Sequence, residues 1–367
     1  MKYRLRNIVL RLSFGLVIVI LCYKIILNFY GKIDDEKLLS HIYSLGLPIL
    51  IIFVPYFIIT LSETLGWKNC FEKNKSSFSL WKLFLLRLST ETLQTSLPGG
   101  AAYAELIRPY LLKKHLKIEY PESISADIIT KVNIMIAQVI FLFLAIIIMI
   151  IDYNNKMSVM FIPVSLFYPF AAIFISLIFL FSYLLYRKNL LLHIINLLEK
   201  INLKMFRKLS FKIRKPSIEI NNILSLFYRK HKIRLFLTTA FFLAAWIMMA
   251  FESLIILKVM GVNANLFQLI ILESFISIIR MVFFFLPGAV GPQDAGIIML
   301  FNHAGLPNPV INSLLFVILK RLKELFWIIT GYVLLIFYGI KFTNLFIVKR
   351  RKAAFNSEFI AETEASR

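Results

Sequence analysis

The sequence predicts an all-α polytopic membrane protein with about six full transmembrane helices and two re-entrant broken-helix hairpins. Three observations lead to this fold class. Of the 367 residues, 59% are hydrophobic, whereas a soluble globular domain is about 45–50% apolar. The excess lies in uncharged runs close to the ~20 residues that cross a bilayer core. Two further apolar stretches are each interrupted by the tripeptide Leu-Pro-Gly.

Six apolar runs are the predicted crossings: Leu12–Tyr30, Tyr43–Leu61, Ile128–Ile151, Met160–Tyr186, Leu235–Leu257 and Val310–Tyr338. We expect the first run to be retained as a span, because it is long for a signal peptide and no small-residue cleavage site follows it. The two cysteines and five scattered histidines lack ligand spacing. We therefore expect neither a metal site nor a cofactor.

The net charge of +22 is concentrated in short loops, which is the pattern that orients a membrane protein. Segment 187–234 has thirteen Lys or Arg residues against two Glu residues, and basic residues also flank the terminal spans. The charges predict an inner (plasma) membrane protein with both termini and segment 187–234 in the cytoplasm, and no nucleic-acid partner. An ordinary cytoplasmic loop containing some helix explains this segment more simply than a helix lying on an anionic leaflet.

The first interrupted stretch, 83–112, is predicted to be re-entrant. Leu83–Leu97 is too short to span, and lysines flank the stretch on both sides, which indicates that it leaves and returns to the same face. Its helix break falls at Pro98, Gly99 and Gly100, since proline removes a backbone donor and glycine permits positive φ.

The second interrupted stretch, 266–304, contains the break Pro287, Gly288 and Gly291. Five predicted crossings from a cytoplasmic N-terminus leave the chain outside after residue 257. A cytoplasmic C-terminus therefore requires an odd number of further crossings. The simplest solution makes 266–304 re-entrant from outside and 310–338 the last crossing. An alternative lets 266–286 cross fully and divides the last stretch into two short helices at Lys320–Glu324.

A carboxylate follows the proline by seven residues in both breaks, as Glu105 and as Asp294. In the simpler topology the breaks enter from opposite faces, which predicts an inverted repeat whose broken helices form the substrate site. Irregular backbone at membrane depth must be buried or line a wet cavity. A helix that restarts there directs free N–H groups into the cavity, which suits a phosphate.

Charged residues in apolar segments complete the predicted site, since each costs about 2.5–3.5 kcal/mol at membrane depth. We expect the cations to hold an anionic head group, and the acids to pair with these cations or with a cationic head group. Arg108 either pairs structurally with Glu105 or belongs to the site, whereas Arg87 and Glu91 form a structural pair. Glu252 and Glu324 are weaker candidates, because an interface is within their reach. The predicted substrate-binding residues are Pro98, Gly99, Gly100, Glu105, Arg108, Glu273, Arg280, Pro287, Gly288, Gly291, Asp294, Lys320 and Arg321.

Three short motifs resemble a known family. They are Glu-x-x-Arg at 105–108, Pro-Gly-x-x-Gly-x-x-acid at 287–294, and an arginine, Arg321, in the last apolar stretch. Over most of residues 5–345 the chain resembles the transmembrane domain of lysylphosphatidylglycerol synthases. This flippase-like group has stand-alone and fused members, with relatives linked to hopanoid transport and archaeal glycolipid assembly.

The chain departs from the family pattern at two places. Ala104 stands where the family has Gly before the first acid, and Asp294, preceded by Pro292 and Gln293, stands where it usually has Glu. The shorter Asp side chain keeps the charge, so a difference in substrate choice is expected. In fused relatives a soluble C-terminal domain transfers lysine to the lipid. Here too little sequence follows Val348 for such a domain, so we expect the stand-alone form.

The resemblance implies that a polar lipid, anionic or glycosylated, moves between leaflets. Residues 1–345 would form the flippase-like transmembrane domain and 346–367 a cytoplasmic tail. The expected partners are the lipid substrate, the bilayer and envelope-biosynthesis enzymes, and we expect a transporter rather than an enzyme. Two alternatives stay open. One is an integral-membrane subunit or enzyme of lipid or glycan modification, such as a glycosyl- or aminoacyl-lipid transferase. The other is a scaffold for an envelope-assembly complex.

Overall fold

The computed structural model describes residues 45–71, 78–97, 99–152, 204–303 and 308–338. Every regular element in these ranges is helical, as predicted. The nine α-helices in this part of the chain are α1 (Val54–Asn69, preceded by a 3-10 helix at Leu47–Phe53), α2 (Leu80–Ser96), α3 (Gly100–Leu116), α4 (Tyr120–Asp152), α5 (Lys204–Lys230), α6 (Lys232–Val259), α7 (Leu266–Val282), α8 (Pro292–His303) and α9 (Pro309–Phe337). The predicted spans Leu12–Tyr30 and Met160–Tyr186, the tail 346–367 and Pro98 lie outside the described residues.

Three helices of the described residues are long and apolar enough to cross a membrane: Leu47–Asn69, Tyr120–Ile151 and Lys232–Val259. They coincide with three of the predicted crossings, and the protein is an integral membrane protein with multiple helical passes. Each helix extends beyond its apolar run. In α1 and α4 the added turns carry buried polar residues such as Thr64, Asn69 and Asp127, because these side chains face other helices rather than lipid.

Two apolar cores organise the helices. One is built from the helices on either side of the second break, α7 and α8, together with α4, α6 and α9, with Phe141, Ile276 and Phe301 fully buried. The other surrounds the first break and is built from α1 to α5, with Trp67 and Phe227 fully buried. Helix α9 contributes to both cores. The helix therefore joins the two halves that hold the breaks.

Helix α5 is the described part of the predicted basic segment, whose residues 187–203 lie outside the described ranges. A stripe of buried residues, Ser217, Ile220, Asn221, Leu224 and Phe227, runs along one face at the spacing of an amphipathic helix. The Ser125 hydroxyl of α4 donates to the Ile220 carbonyl of α5 at 3.5 Å. Helix α5 is thus packed against the helical core along this stripe.

The first break separates α2 from α3, which pack against each other. Leu97 is extended, with φ −107° and ψ 143°, and Gly99 adopts the left-handed conformation at φ 67°. Gly100 then begins α3 in close contact with the end of α2. A Cβ at Gly100 would lie 2.0 Å from the Leu93 carbonyl oxygen and 2.7 Å from that of Gln94. Only glycine fits here, so the sharp turn is dictated locally by the sequence.

Substituting Gly100→Ala is therefore expected to destabilise the protein by about 1–3 kcal/mol, the usual cost of overpacking, because backbone atoms must move. Thermal unfolding of the purified protein in detergent measures the effect. Ala102→Ser, at an exposed position of the same turn, is the matched control and should leave the midpoint unchanged. Equal midpoints for Gly100→Ala and the control would contradict the close packing of α2 on α3.

The second break separates α7 from α8. A short 3-10 helix at Pro287–Ala289 occupies it, and Gly288 within it has φ 53°. Helix α8 begins at Pro292 and α9 follows at Pro309. Helix α9 runs without interruption through Lys320–Glu324, so the alternative that divided the last stretch there is wrong. The orientation of the two broken hairpins across the bilayer stays a prediction.

Candidate functional site

The two breaks lie close together beside α9. A Cβ on Gly288, in the second break, would be 3.4 Å from Nη1 of Arg321 on α9 and 3.7 Å from the Thr95 carbonyl oxygen in the last turn of α2. Ser96, the next residue of α2, shares a 2.6 Å hydrogen bond with the Tyr332 hydroxyl of α9. The end of α2 and the second break therefore lie against one face of a continuous helix.

Arg321 connects the elements of the second break. Its Nε and Nη2 donate to Oδ1 of Asp294 at 2.9 and 2.6 Å. Its Nη1 donates to the Gly288 carbonyl at 3.2 Å and to Glu324 at 2.5 Å. The guanidinium thus binds the backbone before α8 and a side chain within α8. A planar fork with several donors suits this task better than a lysine ammonium would.

Asp294 also caps α8. Its Oδ2 accepts from the Gly291 N–H at 3.0 Å, so the carboxylate sits at the positive end of the helix dipole, a favourable place for an anion. The sequence predicts free N–H groups at this restart. In the structure this N–H group is occupied by the protein's own acid, because Asp294 is in the first turn of the helix.

A second cluster lies where α6, α7 and α9 meet. Glu273 is fully buried and accepts from Lys320, from the Ser253 hydroxyl at 2.5 Å and from Nη2 of Arg280 at 3.3 Å. The Arg280 side chain remains 34% exposed, and its Nε makes no hydrogen bond within the described residues. The cluster has two cations for one carboxylate. Its surplus positive charge suits an anion.

Glu252 and Lys323 form a third buried pair, at 2.5 Å, and both side chains are at most 6% exposed. The ammonium of Lys323 also lies 5.2 Å from the centre of the Tyr56 ring. Glu252 therefore has a partner inside the protein, and its distance from a membrane interface stays a prediction. Sequence reasoning missed Lys323, although its i,i+3 spacing from Lys320 puts both lysines on one side of α9.

In the first hairpin, Glu105 and Arg108 have separate partners. Glu105 binds Lys131 of α4, and both side chains are about half exposed. Arg108 is buried, 3.6 Å from Asp127 and 5.4 Å from the centre of the Trp67 ring. The Trp67 Nε1–H also donates to Asp127 at 3.0 Å. The i,i+3 pair between Glu105 and Arg108 is therefore replaced by two contacts that tie α3 to α4.

Arg87 has the expected contact with Glu91, at 3.9 Å. Its nearest carboxylate, however, is Glu63 of α1, at 2.7 Å. The structure thus brings Gly288, Gly291, Asp294 and Arg321 into one cluster, and Glu273, Arg280 and Lys320 into another. Gly99, Gly100, Glu105 and Arg108 lie in the first hairpin, and Arg87 with its two acids forms a further cluster between α1 and α2.

These features define a multi-pass helical membrane protein whose interrupted helices and buried charges converge on one long helix. The chain belongs to the family described as the lysylphosphatidylglycerol synthase TM region, whose model matches residues 8–331. The match includes both breaks and all the charge clusters described above. No curated protein and no solved structure gives a significant match to the chain.

Proposed function

We propose that the protein is a flippase that moves a polar lipid, anionic or glycosylated, between the leaflets of the inner membrane. The observation that carries the proposal is the meeting, beside α9, of the second break with the last turn of α2, the turn that leads into the first break. In transporters built from repeats, interrupted helices meet in this way at the substrate site. Family membership supports a role in lipid chemistry or lipid movement.

The head group would occupy the polar interior while the acyl chains stay in the surrounding lipid. Arg280, with Nε unpaired in the described part of the chain, and Lys320 would attract the anionic part of the head group, since their single carboxylate partner leaves positive charge in excess. Arg321 and Asp294 would hold the second break in shape. The residues of the first break and the Glu105–Arg108 element would line the opposite side.

In the predicted topology the two hairpins enter the membrane from opposite faces. This arrangement would allow the polar interior to open to each face of the membrane in turn. Rocking of the α2–α3 hairpin against the α7–α8 hairpin, with α9 as their common support, would open the polar interior to one leaflet and then to the other. In this arrangement both termini lie in the cytoplasm, and α5 packs beneath the bundle on that side.

Leaflet exchange in proteoliposomes tests the proposal. Trace fluorescent anionic and zwitterionic lipids are reconstituted with the protein, and quenching from outside reports how much label has changed leaflet. We expect exchange well above that of protein-free vesicles and of vesicles with heat-inactivated protein. Background exchange for every lipid class would overturn the flippase proposal and favour the transferase or scaffold alternative.

A further inference from the structure

The carboxyl pair Glu63 and Glu91, held by Arg87 between α1 and α2, lies outside the site described above. We propose that this pair binds one proton and that lipid movement is coupled to proton movement through it. The coupling rests on the proposed function, whereas the binding of a proton does not. The ligand is a hydrogen ion, which adds to one carboxylate oxygen and leaves it again, with no other reactant.

The geometry is that of two acids competing for one cation. Nη2 of Arg87 donates to Glu63 at 2.7 Å, while the nearest oxygen of Glu91 is 3.9 Å away. The Arg87 side chain is 7% exposed, and those of Glu63 and Glu91 are 14% and 21% exposed. The other oxygen of Glu91 is buried and accepts no hydrogen bond within the described residues.

The surrounding charges do not neutralise Glu91. Within the described residues, the charged and titratable groups around the pair are Tyr56 on α1, Arg87 on α2, Arg108 on α3, Asp127 on α4, and Lys323 and Glu324 on α9. Arg108 is bound to Asp127 and Lys323 to Glu252. Arg321 is bound to Glu324, so its positive charge is not available to Glu91. One guanidinium therefore serves two carboxylates in a setting of low dielectric constant.

Two largely buried carboxylates that share one cation do not both ionise readily, so we expect one of them to retain a proton. Arg321 shows the contrast. It also serves two acids, but it contacts both directly, at 2.6 and 2.5 Å, and Asp294 receives a backbone N–H in addition. Both of those acids are in direct contact with the guanidinium, whereas the nearest oxygen of Glu91 is 3.9 Å from Arg87.

The position of the pair links it to the lipid site. Glu91 lies on α2, whose last turn at Thr95 and Ser96 adjoins the second break and α9. Gain or loss of a proton changes the charge on the helix that leads into the first break. If the α2–α3 hairpin opened to one face of the membrane with the proton bound and to the other face without it, lipid movement and proton movement would be coupled.

Infrared spectroscopy of the full-length protein in lipid tests proton binding directly. A protonated carboxyl has a C=O stretch that carboxylates lack and that shifts in D₂O. We expect this band in the wild type at neutral pH. Glu91→Gln and Glu63→Gln should each abolish it, because the remaining acid then has Arg87 to itself and ionises. Glu119→Gln, at an acid whose side chain is 63% exposed, is the control and should leave the band unchanged.

A wild-type spectrum without this band, or a band that survives both substitutions, would overturn the proposal. The wild-type spectrum decides the first point without any variant, so a variant that fails to fold does not obscure it. Glu91→Gln keeps the size of the side chain and removes only its charge.

Coupling is tested by leaflet exchange under an imposed pH difference. For one proton per lipid, each pH unit should change the leaflet distribution of the labelled lipid about tenfold. Glu91→Gln should retain exchange and lose this response, while Glu119→Gln keeps both. Exchange that ignores the gradient in the wild type would overturn the coupling alone. Absence of all exchange would instead overturn the proposed function, and the infrared result would still stand.

Discussion

Replacing Glu273 with leucine is expected to destabilise the protein more than any other single change to its ion pairs. The substitution leaves Lys320, which is 6% exposed, and Arg280 without their carboxylate partner. Removing one member of a buried pair costs about 3–5 kcal/mol, because the remaining charge is buried without compensation. That is a large fraction of the 5–15 kcal/mol that stabilises a typical folded domain. The yield of monodisperse protein and the thermal unfolding midpoint in detergent measure the loss.

Two further variants separate burial from charge. Glu273→Leu combined with Lys320→Met removes both members of the closest pair and should recover much of the stability, since a matched apolar replacement is often neutral. Glu119→Leu breaks a pair at 3.7 Å whose acid is 63% exposed and should cost at most about 1 kcal/mol. A Glu273→Leu protein as stable as Glu119→Leu would show that the buried cluster is hydrated rather than sealed.

The two helix breaks were predictable from the sequence because they depend on local chemistry. Proline cannot donate a backbone hydrogen bond, glycine alone fits the close contact at Gly100, and glycine readily adopts the positive φ found at Gly288. Apolar run length likewise located three candidate spans. The same reasoning left the last stretch ambiguous, since four charged residues within Lys320–Glu324 look like an interruption. The structure keeps them in a continuous helix by providing each with a partner on another helix or one turn away.

The partners themselves were not predictable, because they are distant in the chain. Glu105 and Arg108 share a helical face by spacing, yet each binds a residue of α4. Asp127 carries no motif, and its role depends on the contact with Trp67, which lies 60 residues earlier in the chain. Arg87 was assigned to Glu91 by its i,i+4 spacing, whereas its closest acid is on α1. Sequence spacing identifies neighbours within one helix, whereas tertiary packing decides which charged residue each side chain contacts.

Replacing Arg321 with alanine is expected to reduce leaflet exchange to the protein-free background. The change removes every contact of the guanidinium with Gly288, Asp294 and Glu324 at once, so the second break loses its link to α9. Truncating one partner of a hydrogen-bonded charge pair costs 2–5 kcal/mol or more, and each 1.4 kcal/mol is about tenfold in rate. A loss of more than tenfold is therefore expected, provided that size-exclusion chromatography shows folded protein.

The graded variants identify what the arginine contributes. Arg321→Lys keeps the positive charge but lacks the fork that reaches Asp294 and Gly288 together, so intermediate exchange is expected. Asp294→Asn keeps the side-chain shape and removes the charge, which should also lower exchange. Thr330→Ala, at a partly exposed position on the same helix, should exchange like the wild type. If Arg321→Ala is folded and exchanges lipid at the wild-type rate, the meeting point of the two breaks is a structural joint, and the polar lipid must pass through the surplus positive charge of Arg280 and Lys320 alone.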